Sequence, residues 1–280
     1  MAIEKIHIDK FLELAKVHQV IDVRSPGEYF HAYIPGAYSM PLFTDEERKI
    51  VGTTYKQESR EQAIKIGLDF LGPKMRKMVE EVESIVRSGE LAVETINEKN
   101  GIKTDSRLTA NNSLLLYCWR GGMRSAGVAW LLDLYGFKVY TLIGGYKKFR
   151  NYVLDTFRLS FNFKILGGYT GSGKTETLKT LQQKGEAVID LEDIANHKGS
   201  AFGNIGLPKQ PTQEMFENLL ALELRKKLTV NSLNPIWLED ESQRIGLVNI
   251  PNDIWKKMRH SPVCFLDIPF EERLQYLVQE

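Results

Sequence analysis

The chain has 280 residues, enough for two domains with cores of their own, and 42% apolar with 26% charged residues is ordinary for a globular protein. The formal net charge of +1 gives no global sign of nucleic-acid binding and leaves only local basic patches to consider. Two cysteines, Cys118 and Cys264, rule out a disulfide framework; there is no signal-peptide core and no run near the ~20 apolar residues of a membrane span, so a cytoplasmic protein with no membrane partner is expected.

Residues 20–23 form a short apolar run that ends in the turn cluster Arg24-Ser25-Pro26-Gly27, and residues 33–42 read as a second short strand between prolines. Residues 45–99 change character. They are charged, with Met75, Met78, Val79, Val82, Ile85 and Val86 at helical spacing, and predict long amphipathic helices. Residues 113–117 return to strand. Residues 125–135 predict an apolar helix with Ser125 as its N-cap and Gly136 as its C-cap, and 138–143 another strand closed by Gly144-Gly145. Residues 146–157 predict a helix bridging two domains. The alternation then restarts, with strands at 163–166, 187–191, 235–238 and 263–268 and helices at 174–183 and 212–228. Strands alternating with helices predict a parallel sheet in each half, an α/β protein of two domains over 1–150 and 151–280. A last helix beginning at Glu271 runs to Glu280 as if unfinished, so a further C-terminal part is expected.

Two loops carry chemistry, each between a strand and a helix. Such a loop aims backbone N–H groups and a helix N-terminus at an anion. The later one, Gly168-Tyr169-Thr170-Gly171-Ser172-Gly173-Lys174-Thr175, has the glycines that let the backbone approach phosphate oxygens. Lys174 offers a point charge to the distal phosphates and Thr175 a hydroxyl for Mg²⁺. A chance match has odds of roughly one in a hundred in a chain of this length, and the flanking strand and helix lower them further. Carboxylates follow two strands, Glu239-Asp240 after one and Asp190 with Glu192 after another. Both groups fall at the ends of parallel strands, where ligand crevices form, although each reads equally as a polar exit from its strand.

The earlier loop, Cys118-Trp119-Arg120-Gly121-Gly122-Met123-Arg124-Ser125, places a thiol beside two arginines. Positive charge and a helix N-terminus favour the thiolate, so Cys118 is a candidate nucleophile with Arg120 and Arg124 as anion-holding partners. The Cys-x5-Arg spacing alone arises by chance roughly one time in ten; the strand–loop–helix context is what raises it. Cysteine phosphatases share the spacing, but Tyr117 stands where they carry a histidine, and no general-acid aspartate is placed. Cys264, in Pro262-Val263-Cys264-Phe265-Leu266, reads as a buried core residue.

Ile21-Asp22-Val23-Arg24-Ser25-Pro26, Glu28-Tyr29, Ile34-Pro35-Gly36-Ala37, the Cys118 loop and Leu142-Ile143-Gly144-Gly145-Tyr146 together resemble a rhodanese domain. The resemblance implies a thiolate that carries sulfur or selenium, with Asp22 and Arg24 structural. Further stretches are not general to rhodaneses: Thr44-Asp45-Glu46-Glu47-Arg48, Val51-Gly52-Thr53-Thr54-Tyr55-Lys56-Gln57, His197-Lys198-Gly199-Ser200-Ala201-Phe202-Gly203 and Leu238-Glu239-Asp240-Glu241-Ser242. With the phosphate loop they are similar to the tRNA 2-selenouridine synthase family over nearly the full length. That implies a rhodanese-like α/β domain with a helical insertion at about 45–105, fused to a P-loop NTPase-like α/β domain. It also implies replacement of sulfur by selenium in wobble 2-thiouridine of tRNA, with selenophosphate as donor, geranyl diphosphate making an S-geranyl intermediate, and a selenophosphate-supplying enzyme as a partner. His197 and Ser200 become site candidates on this ground; otherwise His197 is a loop histidine. Tyr169 stands where some members have a cysteine. Candidate tRNA contacts are Lys74-Arg76-Lys77, Lys147-Lys148-Arg150, Arg225-Lys226-Lys227 and Lys256-Lys257-Arg259-His260, each of which also reads as a solvated helix face. Trp119 suits stacking on a base or packing of its loop. A P-loop kinase or NTPase fused to a sulfurtransferase domain, and a non-catalytic rhodanese-like module, remain as alternatives.

Overall fold

The computed structural model describes residues 3–99, 113–198, 206–230 and 234–279. The chain divides into two compact units, Met1–Arg150 and Asn151–Glu280.

The first unit contains β1 (Glu4–Ile6), α1 (Ile8–Leu14), β2 (Gln19–Asp22), α2 (Pro26–His31), β3 (Tyr38–Ser39), α3 (Asp45–Gln57), α4 (Arg60–Leu71), a 3-10 turn at Gly72–Lys74, α5 (Met75–Lys99), β4 (Ser113–Tyr117), α6 (Met123–Tyr135) and β5 (Lys138–Leu142). The helix α7 (Gly145–Arg158) follows, and the boundary between the units falls within it. The sheet is parallel throughout, in the order β1-β5-β4-β2-β3. The Ser-Leu-Leu-Leu-Tyr run of β4 lies at its centre, buried on both faces as a continuous apolar strand should be. Gln19 pairs with Leu114 and Asp22 with Tyr117, so the turn after β2 and the loop after β4 leave the sheet side by side.

The expected insertion is helical over its described part. The capping box of Thr44 and Glu47 starts α3, and the Ser59 side chain caps α4. Met78, Val79 and Val82 of α5 enter the core against Leu114, Leu116 and Val128, which is the face their spacing predicts. The expected remainder to about residue 105 lies outside the described residues.

Several local expectations change. Of residues 33–42 only Tyr38–Ser39 pairs with β2, because Pro35, Gly36 at φ +85° and Pro41 keep the rest out of the ladder. Ser125 does not cap α6. The helix starts two residues earlier behind Gly122, and the Ser125 hydroxyl turns inward. Neither β1 nor α1 is legible beforehand: β1 has three residues with one buried, too few for a period to show.

The second unit contains β6 (Phe163–Gly168), α8 (Lys174–Gln183), β7 (Ala187–Val188), α9 (Leu191–Ala195), α10 (Gln213–Val230), β8 (Ile236–Glu239), the antiparallel pair β9 (Arg244–Ile245) and β10 (Val248–Asn249), α11 (Asn252–Arg259), β11 (Val263–Leu266) and α12 (Phe270–Gln279). Its parallel sheet runs β11-β6-β8-β7, with β6 between β11 and β8, so the loop after β6 stands beside the acidic end of β8. The strand expected over 187–191 stops at Val188 because the Asp190 carboxylate caps α9, accepting the Asp193 N–H at 2.9 Å. Cys264 is exposed rather than buried: β11 forms an edge of the sheet, and Val263 and Phe265 beside it are also open.

Candidate active site

The thiol loop rests on backbone. The Tyr146 N–H donates to the Cys118 carbonyl at 2.8 Å, and the Lys147 N–H to that of Trp119 at 3.0 Å. This requires glycine at 145. A Cβ there would stand 2.2 Å from the Cys118 oxygen and 2.5 Å from the Gly121 nitrogen, and φ is +57°. Below lies a buried ion pair. Arg24 donates to Asp22 through Nε at 3.0 Å and Nη2 at 2.6 Å, donates to the Ala32 carbonyl at 2.7 Å, and lies 3.9 Å from the centre of the Tyr146 ring. Asp22 and Arg24 are thus framework, holding the turn after β2 and the aromatic floor of the loop.

Cys118 is buried at the end of β4, with Sγ 3.3 Å from the Ser125 hydroxyl. Burial pushes the thiol pKa up. The Ser125 hydroxyl, the N–H groups of Ser125 and Gly122 and the charge of Arg124 outweigh it, and the pKa falls below its ordinary value. Arg124 is itself fixed by Glu28, with Nη1 at 2.7 Å, and Arg48 reaches the same carboxylate at 3.0 Å. Burial pushes Glu28 up, but those arginines and the Ser25 N–H hold it down to about 2. Arg120 is exposed and carries no ion pair among the described residues. A cavity of about 630 Å³ opens at the sulfur, between the thiol loop and α3.

In the phosphate loop, Gly171 and Gly173 take φ +78° and +74°, left-handed positions that suit glycine, and α8 begins at Lys174. Lys174 Nζ donates to the Gly168 carbonyl at 3.1 Å and lies 3.5 Å from Glu239 at the end of β8. Glu192, Glu239 and Glu241 bring carboxylate oxygens within 4.8 Å of one another. Burial, with Glu192 and Glu239 adjacent, pushes Glu241 up to about 8; burial also raises Glu239, against the pull of Lys174. Ser172 Oγ is buried without a hydrogen-bond partner among the described residues. Crowded hard oxygen donors of this kind suit a divalent cation such as Mg²⁺.

The structure therefore brings Lys174, Glu192 and Glu239 together with Glu241, which the sequence places in the same acidic run after the strand but does not single out. The chain turns tightly after β8, where the Glu241 N–H donates to the Glu239 carbonyl at 3.0 Å. Asp190 caps α9 through Oδ1 and Asp240 pairs with Arg259 through Oδ1, and both raise Glu239 through their charge. His197 is buried, its ring in the space Gly246 leaves open and its Nδ1 without a partner among the described residues. Ser200 lies outside the described residues. Six cations of the basic clusters have partners within the fold: Lys74 with Glu47, Arg76 with Glu80, Arg225 on the Tyr152 ring, Lys226 with Glu223, Lys257 on the Phe157 carbonyl, and Arg259 with Asp240.

Residues 161–280 match the family model described as "tRNA 2-selenouridine synthase AAA domain". The tRNA 2-selenouridine synthase of Bdellovibrio bacteriovorus is 36% identical over 98% of this chain and 67% of its own length. The chain belongs to the tRNA 2-selenouridine synthase family. The family's proteins from Nitrosomonas europaea and Pseudomonas syringae pv. syringae are each 35% identical over 93% of this chain, which spans 63% and 65% of their respective lengths. Within this family the first unit is a rhodanese-like α/β domain and the second a P-loop α/β domain, a fusion of the two folds. No helix among the described residues is long and apolar enough to cross a membrane.

Proposed function

We propose that this member of the tRNA 2-selenouridine synthase family is a transferase that exchanges the sulfur of wobble 2-thiouridine in tRNA for selenium, through an S-geranyl intermediate. The observation that carries this reading is a buried thiol against the Ser125 hydroxyl in the wall of a cavity, in a chain that also holds a P-loop. Cys118 serves the selenation step: its thiolate takes the phosphoryl group of selenophosphate, which Arg120 and the loop amides hold. The P–Se bond breaks with its electron pair on selenium, the selenide adds at C2 of the alkylated base with loss of geranylthiol, and water releases the phosphoryl group as phosphate. Arg124 acts on the thiol through its charge while held by Glu28.

The P-loop is the geranyl diphosphate site. A thione sulfur is a poor leaving group, and alkylation by the geranyl carbon improves it. That step expels diphosphate, whose charge Lys174 and the amides of residues 171–175 are suited to receive. Glu192, Glu239 and Glu241, with the Thr175 hydroxyl, are the residues that would hold Mg²⁺, which supplies further neutralisation of the diphosphate when bound. His197 stands as a further candidate for this site. A selenophosphate-supplying enzyme is the expected partner, and the cytoplasm the expected compartment.

Mass spectrometry of nucleosides from thiolated tRNA incubated with the protein, geranyl diphosphate and selenophosphate tests the scheme. Cys118→Ala should abolish 2-selenouridine and let S-geranyl-2-thiouridine accumulate; normal selenation by that variant refutes the role given to Cys118. Lys174→Ala should cut geranylation by about 100-fold or more, the scale of losing one preorganised charge at a leaving group. The carboxylate cluster beside Lys174 also favours a second reading, a metal–nucleotide site. Rapid ATP hydrolysis without tRNA would select it.

A further inference from the structure

The cavity at Cys118 is larger and more apolar than an anion donor requires. One wall is the thiol loop and the first turn of α6, with Trp119 and Met123; the other is Phe43 with Val51 and Tyr55 of α3. Met123 is 50% exposed, Tyr55 51% and Trp119 37%, so aromatic and thioether surface stands open beside the sulfur. The volume of about 630 Å³ falls in the range of clefts that hold an organic ligand.

Gly52 lines the same cavity from the interior of α3, and a Cβ there would meet nothing within 4 Å. Glycine is unfavourable inside a helix and is not required here by any close approach, so its effect on the cavity wall is to leave space. The cations divide into two sets. Arg48 and Arg124 are tied to Glu28, whereas Lys49, Lys56 and Arg120 carry no ion pair among the described residues. The site is therefore an open apolar stretch with positive charge around it.

We propose that this cavity is a prenyl site: it takes the hydrocarbon on the sulfur of the wobble nucleoside while Lys49 and Lys56 meet the flanking phosphates of the tRNA. The proposal rests on the S-geranyl reading above and adds to it that the rhodanese-like domain itself recognises the alkyl group. Selenation is thereby directed to nucleosides already alkylated, because an unmodified thiouridine leaves the cavity wet. Each methylene taken out of water strengthens binding roughly fourfold, so a geranyl chain separates alkylated from unalkylated substrate by far more than contacts to the shared base could.

The test uses the full chain in a Cys264→Ser background and follows the rate at which iodoacetamide alkylates Cys118. S-geranyl-2-thiouridine nucleoside should slow alkylation at concentrations at least roughly tenfold below those S-methyl-2-thiouridine needs, a minimum set by the fourfold gain per methylene. Gly52→Phe, which fills the space from a helix that tolerates a larger side chain, should remove that preference. Met123→Glu, on a half-exposed side chain, should do the same and serves if Gly52→Phe misfolds. Equal protection by both nucleosides, protection by inorganic phosphate alone, or an unchanged preference in both variants overturns the prenyl site. The functional reading fails separately. If the wild-type chain makes no 2-selenouridine from geranylated tRNA and selenophosphate while the geranyl preference persists, the transferase scheme falls and the site stands.

Discussion

The thiol loop and the phosphate loop share one plan, strand then glycine-bearing loop then helix, yet their electrostatics run in opposite directions. At Cys118, Arg124, two backbone amides and the Ser125 hydroxyl overcome burial and favour the anion. At Glu241 burial and two neighbouring carboxylates act together and favour the neutral acid. The first loop has thus arranged positive charge and donors around a thiol that belongs to the protein. The second has concentrated negative charge that needs a cation from outside, next to a lysine already turned toward Glu239. The same backbone device therefore surrounds a thiol with donors in one unit and a lysine with carboxylates in the other.

The comparison can be broken first where the thiol loop has its bracing. Gly145→Ala forces a Cβ into the Cys118 carbonyl at a left-handed φ, and a loss of about 3 kcal/mol or more is expected in urea unfolding. Stability within the error of wild type would show that the loop does not depend on this floor. A middle-sized effect is expected at the carboxylates. The Glu241 pKa is raised from 4.5 to about 8 on folding, so its ionisation opposes folding, and stability drains as pH rises through that interval. Glu241→Gln should raise the melting temperature at pH 8 relative to wild type and change it less at pH 5, and Mg²⁺ should stabilise wild type at pH 8 more than the variant. A gain independent of pH would place Glu241 outside the crowded cluster. The smallest effect sharpens the contrast. In Ser125→Ala the alkylation midpoint of Cys118 should move up by about one pH unit, the worth of one hydrogen bond to an anion. An unmoved midpoint assigns the lowering to Arg124 and the amides.

The strands that carry the two loops were readable because they are apolar and long enough to show it. Residues 113–117 and 163–168 are buried runs punctuated by glycines, and the loops follow at once. The helices α5 and α7 were readable from period: Tyr146, Phe149, Val153 and Phe157 are all buried on one face of α7. What escaped was short or relational. The hairpin of β9 and β10 has two residues a side, below any period. Cys264 lies in an apolar strand whose sequence does not say that it sits at a sheet edge. Asp190, Asp240 and Glu241 are similar carboxylates following strands, and only the fold separates a helix cap, an ion pair and a member of a cluster. The cavity wall at Gly52 was invisible for the same reason, since α3 is distant from Cys118 in sequence and meets it only across the cavity.

Arg24 is fully buried, answered by Asp22, with its guanidinium against the ring of Tyr146, whose own N–H supports the cysteine. A buried pair of this kind tolerates the loss of both partners far better than the loss of one. Among descendants of this sequence the arginine and the aspartate should accordingly disappear in a single step or persist together. A lineage that exchanged both for apolar residues could keep a folded domain while losing the cation on which the tyrosine ring rests. The expected relic is a domain of the same shape, with the cysteine still in place and its support gone.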